Sequence, residues 1–212
     1  MKHYILFVLS ACYILSACSS SEYMPHEGDL LFQVSETSPM SEAITESTAQ
    51  HDSIKYDHVA IFTFYDGTPS VIEASTTHGV TRTSWADFVT SSTHIDGRPG
   101  LVVMRAHKNT TFIKQAVSRA ETHIGEPYDW SYLPDNGKTY CSELIYESYV
   151  DAEGKPLFTA KPMNFRNANG EMPLFWTKLF QKLGEPIPEG VLGTNPNEMS
   201  KDSILTEVYS YF

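Results

Sequence analysis

The stretch His58-Val59-Ala60-Ile61-Phe62-Thr63-Phe64-Tyr65-Asp66-Gly67-Thr68-Pro69-Ser70-Val71-Ile72-Glu73-Ala74 decides the architecture. From His58 to Phe64 the residues are mostly β-branched or aromatic, the types that pack well on a pleated surface. Asp66 to Pro69 is a turn signal, and Ser70 to Ala74 reads as the returning strand of a hairpin. Two residues are out of keeping with apolar strands. His58 stands at the mouth of the first, where packing alone favours an aliphatic side chain. Glu73 lies between Ile72 and Ala74, so it is either an exposed charge or a buried one that needs a partner. An even-numbered connection places both on one face of the hairpin. The carboxylate can then accept the imidazole N–H and fix its tautomer.

Working outward, Gly28-Asp29 precedes Leu30 to Val34, a short apolar run that predicts a strand. Ser38 is placed to cap a helix beginning at Pro39, with Met40, Ala43 and Ile44 as its apolar stripe. On the other side, Gly79-Val80 and Trp85 to Val89 read as a connection containing a short helix, and Leu101 to Arg105 as another strand. Thr110 or Thr111 can cap a helix whose face is Phe112, Ile113, Ala116, Val117, Ala120 and Ile124, closed by Gly125. A loop from Glu126 to Tyr140 leads to Cys141. That residue opens a helix carrying Leu144, Ile145, Tyr149 and Val150, expected to end near Gly154. Phe175, Trp176, Leu179, Phe180 and Leu183 mark a short amphipathic helix. The expected class is α+β, an antiparallel sheet packed against helices.

The chain has 212 residues, of which 41% are hydrophobic, enough for one core of ordinary size. Its formal net charge of -11 and lack of a basic cluster argue against a nucleic-acid partner. Lys2 followed by an apolar run from Tyr4 to Ile14 reads as an export signal, too short to span a bilayer. Leu15-Ser16-Ala17-Cys18 resembles the bacterial lipobox, in which the cysteine is acylated. Leu9-Ser10-Ala11-Cys12 has the same pattern, but cleavage there leaves an apolar run of only about six residues, below the roughly 7–15 of an export signal. The expected organisation is therefore a signal peptide over 1–17, a lipidated Cys18 with its tether over 18–26, and a single domain over 27–212. A lipid anchor of this kind, with palmitate or a similar acyl group, places the protein at the cell envelope with the lipid as its only membrane contact.

Cys141 is then the one free thiol of the mature chain. It is either a small buried hydrophobe or a nucleophile. A cysteine at a helix N-terminus or beside an imidazolium is more readily ionised than a free thiol, and the junction after Asn136-Gly137-Lys138-Thr139 supplies the first environment. Seven further histidines lie in the signal, near the tether, in loops or at segment ends. His123 is the one placed near a helix C-terminus. One thiol with no CxxC or HExxH spacing gives no metal ligand set, and no glycine-rich phosphate loop precedes a helix, so no cofactor is expected.

Gly28-Asp29-Leu30-Leu31-Phe32, His58-Val59-Ala60-Ile61-Phe62, Val71-Ile72-Glu73-Ala74 and Tyr140-Cys141-Ser142-Glu143-Leu144-Ile145 together resemble the NlpC-type papain-like cysteine hydrolases. The cysteine helix follows the Gly-Asp and His strands, as in the circularly permuted branch called YiiX-like or YaeF-like. Gly125-Glu126-Pro127-Tyr128-Asp129 also fits that branch, and Asn195-Pro196-Asn197 matches more weakly. The resemblance implies a permuted papain-like fold with Cys141 as nucleophile, His58 as general base and Glu73 as orienting carboxylate. The Cys141 backbone N–H would hold the oxyanion. Gln33 or Tyr56 is a candidate side-chain donor, and Tyr128, Trp130, Tyr132 and Tyr140 are candidates for the cleft wall. Three readings follow: an amidase or peptidase acting on cell-wall-type peptides through a thioacyl intermediate, a thioester-forming lipid acyltransferase using the same triad, and a non-catalytic binding module.

Overall fold

The computed structural model describes residues 23–49 and 52–212. The expected signal peptide, Cys12, Cys18 and the start of the tether lie outside the described residues. Six strands form one antiparallel sheet: β1 (Leu30–Gln33), β2 (His58–Tyr65), β3 (Thr68–Ser75), β4 (Gly79–Ser84), β5 (Leu101–Ala106) and β6 (Leu205–Ser210), in the order β6-β5-β1-β2-β3-β4. Helices α1 (Pro39–Thr48), α2 (Trp85–Thr90), α3 (Thr110–Thr122), α4 (Cys141–Ser148), α5 (Leu174–Leu183) and α6 (Pro196–Met199) complete the α+β fold.

The hairpin forms as its sequence dictates. Asp66 and Gly67 take φ of 49° and 74°, the two-residue turn whose twist matches that of its strands. Tyr65 therefore opposes Thr68 and Ile61 opposes Ile72. Continued by one pair, this register sets Glu73 opposite Ala60, two residues from His58 and so on its face. Strand parity also divides the core. Leu30, Phe32, Val59, Ile61, Ile72 and Val102 join one apolar cluster with the residues of α3, α4 and α5. Leu31, Ala60, Phe62, Val71, Leu101 and Val103 join a second with Trp85, Phe88 and Tyr211. Burial on both faces is why β1, β2 and β5 read as near-continuous apolar runs.

Three elements differ from expectation. Residues 79–84 are not a connection but the edge strand β4, whose Thr-Arg-Thr-Ser stretch pairs on one side only. Thr110 and Thr111 are already helical: Asn109 caps α3 by accepting from Phe112 N at 2.9 Å. Ile124 lies beyond that helix and is 39% exposed. Helix α4 stops at Ser148, well before Gly154, because Tyr149 leaves helical geometry. The Tyr149 hydroxyl instead donates to Gly28 O at 2.6 Å, tying the end of α4 to the entry of β1. Gly28 has φ +72°, and a Cβ there would lie 2.3 Å from Ile113 Cγ2, so only glycine fits. The strand β6, whose polar alternation hides it in the sequence, closes the sheet beside β5.

Candidate active site

The N-terminus of α4 is held by the loop before it. Tyr128 bridges to Thr139, with Thr139 N donating to Pro127 O at 3.1 Å. The Asp129 carboxylate accepts from Ser131 N, Ser131 Oγ and Leu133 N. Thr139 Oγ1 donates to Glu126 Oε2 at 2.5 Å. Gly79, with φ +68°, lets β4 approach so closely that an added Cβ would lie 2.1 Å from Glu126 O. So braced, Tyr140 is extended (φ -98°, ψ 169°) and the helix begins at Cys141. The first-turn N–H groups have no partners within a helix and make its start favourable for negative charge. Cys141 is buried, and it is a free cysteine.

His58 reaches this thiol from the mouth of β2. Its Nε2 lies 2.8 Å from Glu73 Oε2, and Cys141 is near enough to the imidazole to act on its proton; with Nε2 engaged, Nδ1 is the nitrogen left for the sulfur. Burial by itself lowers the His58 pKa. The bonds to Cys141 and Glu73, with the negative charge on both, overcome it and raise the group to about 10. Glu73 shows the converse: burial disfavours its charge, but His58 and Thr83 more than compensate and lower its pKa. Thr83 Oγ1, on β4, donates to Glu73 Oε1 at 2.5 Å, so both carboxylate oxygens are held. A carboxylate, an imidazole that holds its proton strongly and a thiol thus lie in sequence, the set of groups that a cysteine nucleophile needs.

The cleft has two lobes. One is wider, about 440 Å³, and is lined mostly by residues of polar type, among them Ser35, Ser38, Ser41, His58 and Glu73. The other is narrower, about 60 Å³, and runs among Tyr132, Tyr140, Cys141, Met163, Phe165 and Trp176. Ile44, Asp57 and Tyr128 line both lobes. Asp57 Oδ1 accepts from Ser35 N at 2.8 Å, and burial raises its pKa.

The other candidates part company here. Gln33 lines the polar lobe, but its Nε2 is committed to Phe88 O, Ser91 Oγ and Ser92 Oγ at 2.9–3.1 Å. Tyr56 packs on Phe32 at 5.4 Å between ring centres and lines neither lobe. Its backbone is clamped by the Asn197 side chain, which accepts from Tyr56 N and donates to Tyr56 O. Asn197 thus fixes the segment leading into Asp57 and His58. Tyr128 and Tyr140 are both in the cleft wall, with the Tyr140 hydroxyl accepting from Thr194 N at 3.1 Å. Trp130 stands behind Tyr128, edge to face at 5.0 Å. His123 lies elsewhere, with Glu126 and Glu147.

Asp57, Thr83 and Thr194 escape the sequence reading, and Asn197 enters it only within the weakly matching Asn195-Pro196-Asn197. Thr83 was legible only through the parity of β4, and the other three lie in loops or, for Asn197, in a single turn of helix.

The chain matches the family model described as "Permuted papain-like amidase enzyme, YaeF/YiiX, C92 family" over residues 24–209. It is 26% identical over 186 residues to the protein YiiX of Escherichia coli (strain K12), an alignment covering 86% of this chain and 84% of that one. It is also similar to the crystal structure of yiiX from Escherichia coli O157:H7, with TM-score 0.71 and 25% identity over 88% of this chain and 98% of that one. That structure's title calls its subject a metalloprotein. Among the described residues here, no group of three His, Cys, Asp or Glu side chains converges to hold a metal ion. No helix among the described residues is long and apolar enough to cross a membrane. The order of the elements, with the cysteine helix after the histidine strand, agrees with these matches: the chain belongs to the permuted papain-like amidases of the YaeF/YiiX, C92 family.

Proposed function

We propose that this protein is a cysteine amidase of the cell envelope, with Cys141 as nucleophile, His58 as general acid and base, and Glu73 as the group that orients His58. The observation that carries the reading is the 2.8 Å bond between Glu73 Oε2 and His58 Nε2, with Cys141 acting on the same imidazole. The thiolate attacks the amide carbonyl, and the carbonyl electrons move to oxygen. The backbone N–H of Cys141 is placed for that oxyanion at the start of α4. Tyr128, common to both lobes, is the side chain best placed to assist. The imidazolium gives its proton to the leaving amine as the C–N bond breaks, which leaves a thioester on Cys141. His58 then takes a proton from water, the hydroxide attacks the thioester, and the carboxylic acid departs as the thiolate is restored.

The lobe next to Cys141 is aromatic and holds only about 60 Å³, which suits a short apolar acyl portion, while the polar lobe of about 440 Å³ suits a peptide-like leaving group. Cell-wall-type peptides meet both requirements. A lipobox cysteine at position 18 would keep the enzyme beside them. The aromatic lining also favours a second reading, acyl transfer from lipid through the same thioester, which needs that lobe to widen.

Intact-mass measurement after mixing with peptide amides or with long-chain acyl esters separates the two. The amidase reading predicts a short acyl adduct on Cys141 from amides, absent in Cys141→Ala. Long-chain adducts from the esters, with none from any amide, would overturn it in favour of acyl transfer.

A further inference from the structure

The first turn of α4 carries a second buried acid that the mechanism above does not use. Glu143 is 6% exposed and lies two residues after Cys141. Its Oε2 accepts from Tyr140 N at 3.3 Å, reaching back to the residue that precedes the nucleophile. No cation faces it. Glu147 approaches from the next turn of α4, and Asp129 and Asp135 from the 126–140 loop. His123, at the end of α3, is turned to Glu126 and Glu147 instead. The Asp129 carboxylate is held by three donors of its own loop, none of which reaches Glu143. A carboxyl so placed accepts the Tyr140 N–H equally well with its proton on. An anion there would sit on the N–H of the residue preceding Cys141, in the same helical turn as the N–H that would hold the oxyanion.

We propose that Glu143 is a positioning residue that works in its neutral form: protonated, it completes the cap that sets Tyr140 and Cys141 at the helix start, and on ionising it adds a negative charge that opposes the oxyanion. Glu143, rather than His58, then sets the alkaline limit of the enzyme. This rests on the reading of Cys141 and His58 as a working pair. Burial first, and the Glu147 charge second, push Glu143 up to about 8, whereas His58 keeps its proton until about 10. The interval between those two values separates the proposal from the simpler case in which loss of the imidazolium ends activity.

Two small alkylating reagents read the charge at Cys141 without any substrate. Iodoacetamide is neutral and iodoacetate is an anion of similar size. On the full chain, the ratio of iodoacetate to iodoacetamide rate constants should fall about fivefold in one step centred near pH 8. In Glu143→Gln, whose amide oxygen can still cap Tyr140, the ratio should stay level until His58 loses its proton. Glu147→Gln removes a facing charge while leaving Glu143 in place, and should move the step to lower pH. A purely structural Glu143 would alter both rates alike and leave the ratio unchanged. A wild-type ratio level through pH 8, or a step that persists in Glu143→Gln, overturns the proposal. If Glu143→Gln does not fold, a step that Glu147→Gln fails to move does so as well. Failure of the underlying pair looks different, because Cys141 would then react with either reagent at one rate whether or not His58 is present.

Discussion

Two buried ion pairs stand at different places on the same sheet, and they do different things with the same physics. Near the entry of β1, Asp29 is 1% exposed and meets Arg105 of β5 in a two-pronged pair, Nε to Oδ1 and Nη2 to Oδ2, both 2.7 Å. His26 N donates to the same carboxylate at 2.7 Å. The carboxylate there is answered by a guanidinium and a backbone amide, neither of which gives up a proton near neutral pH, and the result is a fixed joint between strands. At the mouth of β2, Glu73 is equally well held by His58 and Thr83, but His58 faces a thiol on its other side. The difference lies in the third partner. Where it is a backbone amide the pair is structural, and where it is a group that can lose a proton and form a bond the pair can do chemistry.

Removing members of each pair tests this contrast. His58→Ala should lower turnover of any amide substrate by about a thousandfold and also lower the melting temperature, since it leaves the Glu73 carboxylate buried with Thr83 as its donor. Glu73→Gln keeps the shape but offers the imidazole the wrong hydrogen-bonding partner, and should lower turnover by roughly a hundredfold. Its effect on stability has a definite sign with pH. The Glu73 pKa is lowered by folding, so its stabilising contribution is present above the unfolded value near 4.5 and is lost as pH falls through the lower folded value. Urea unfolding of wild type and Glu73→Gln should therefore differ at pH 7 and converge on acidification.

Arg105→Ala acts on the other pair. It leaves the Asp29 carboxylate buried with one N–H donor, and should cost about 3 kcal/mol in urea unfolding with Cys141 alkylation unchanged. A clear loss of thiol reactivity in that variant would mean that the two ends of the sheet are coupled. The smallest change is Thr83→Val, which removes one donor from Glu73. It should lower turnover only a few-fold and cost about 1 kcal/mol.

The same contrast shows what a sequence can disclose. The hairpin was legible because its strands are apolar on both faces and its turn is Asp-Gly, and its register then placed Glu73 with His58. Cys141 was legible because a loop of turn-forming residues gives way to a helical run. The edge strands β4 and β6 were not, because each pairs on one side and its polar residues look like loop. Gln33 shows another limit. Its parity puts it at the cleft, but its amide is claimed by the end of α2, a contact spanning more than fifty residues that no local pattern announces. Asn197 is harder still, since its role is to clamp the backbone of Tyr56 from the far end of the chain.

The most direct test of the central claim is the pH dependence of Cys141 alkylation by iodoacetamide, in wild type and in His58→Ala. The account predicts rapid modification already near pH 6 in wild type, and in the variant a rate that rises only toward about pH 8.5, as for an ordinary thiol. Identical profiles for the two proteins would contradict it, since Cys141 and His58 would then share no proton.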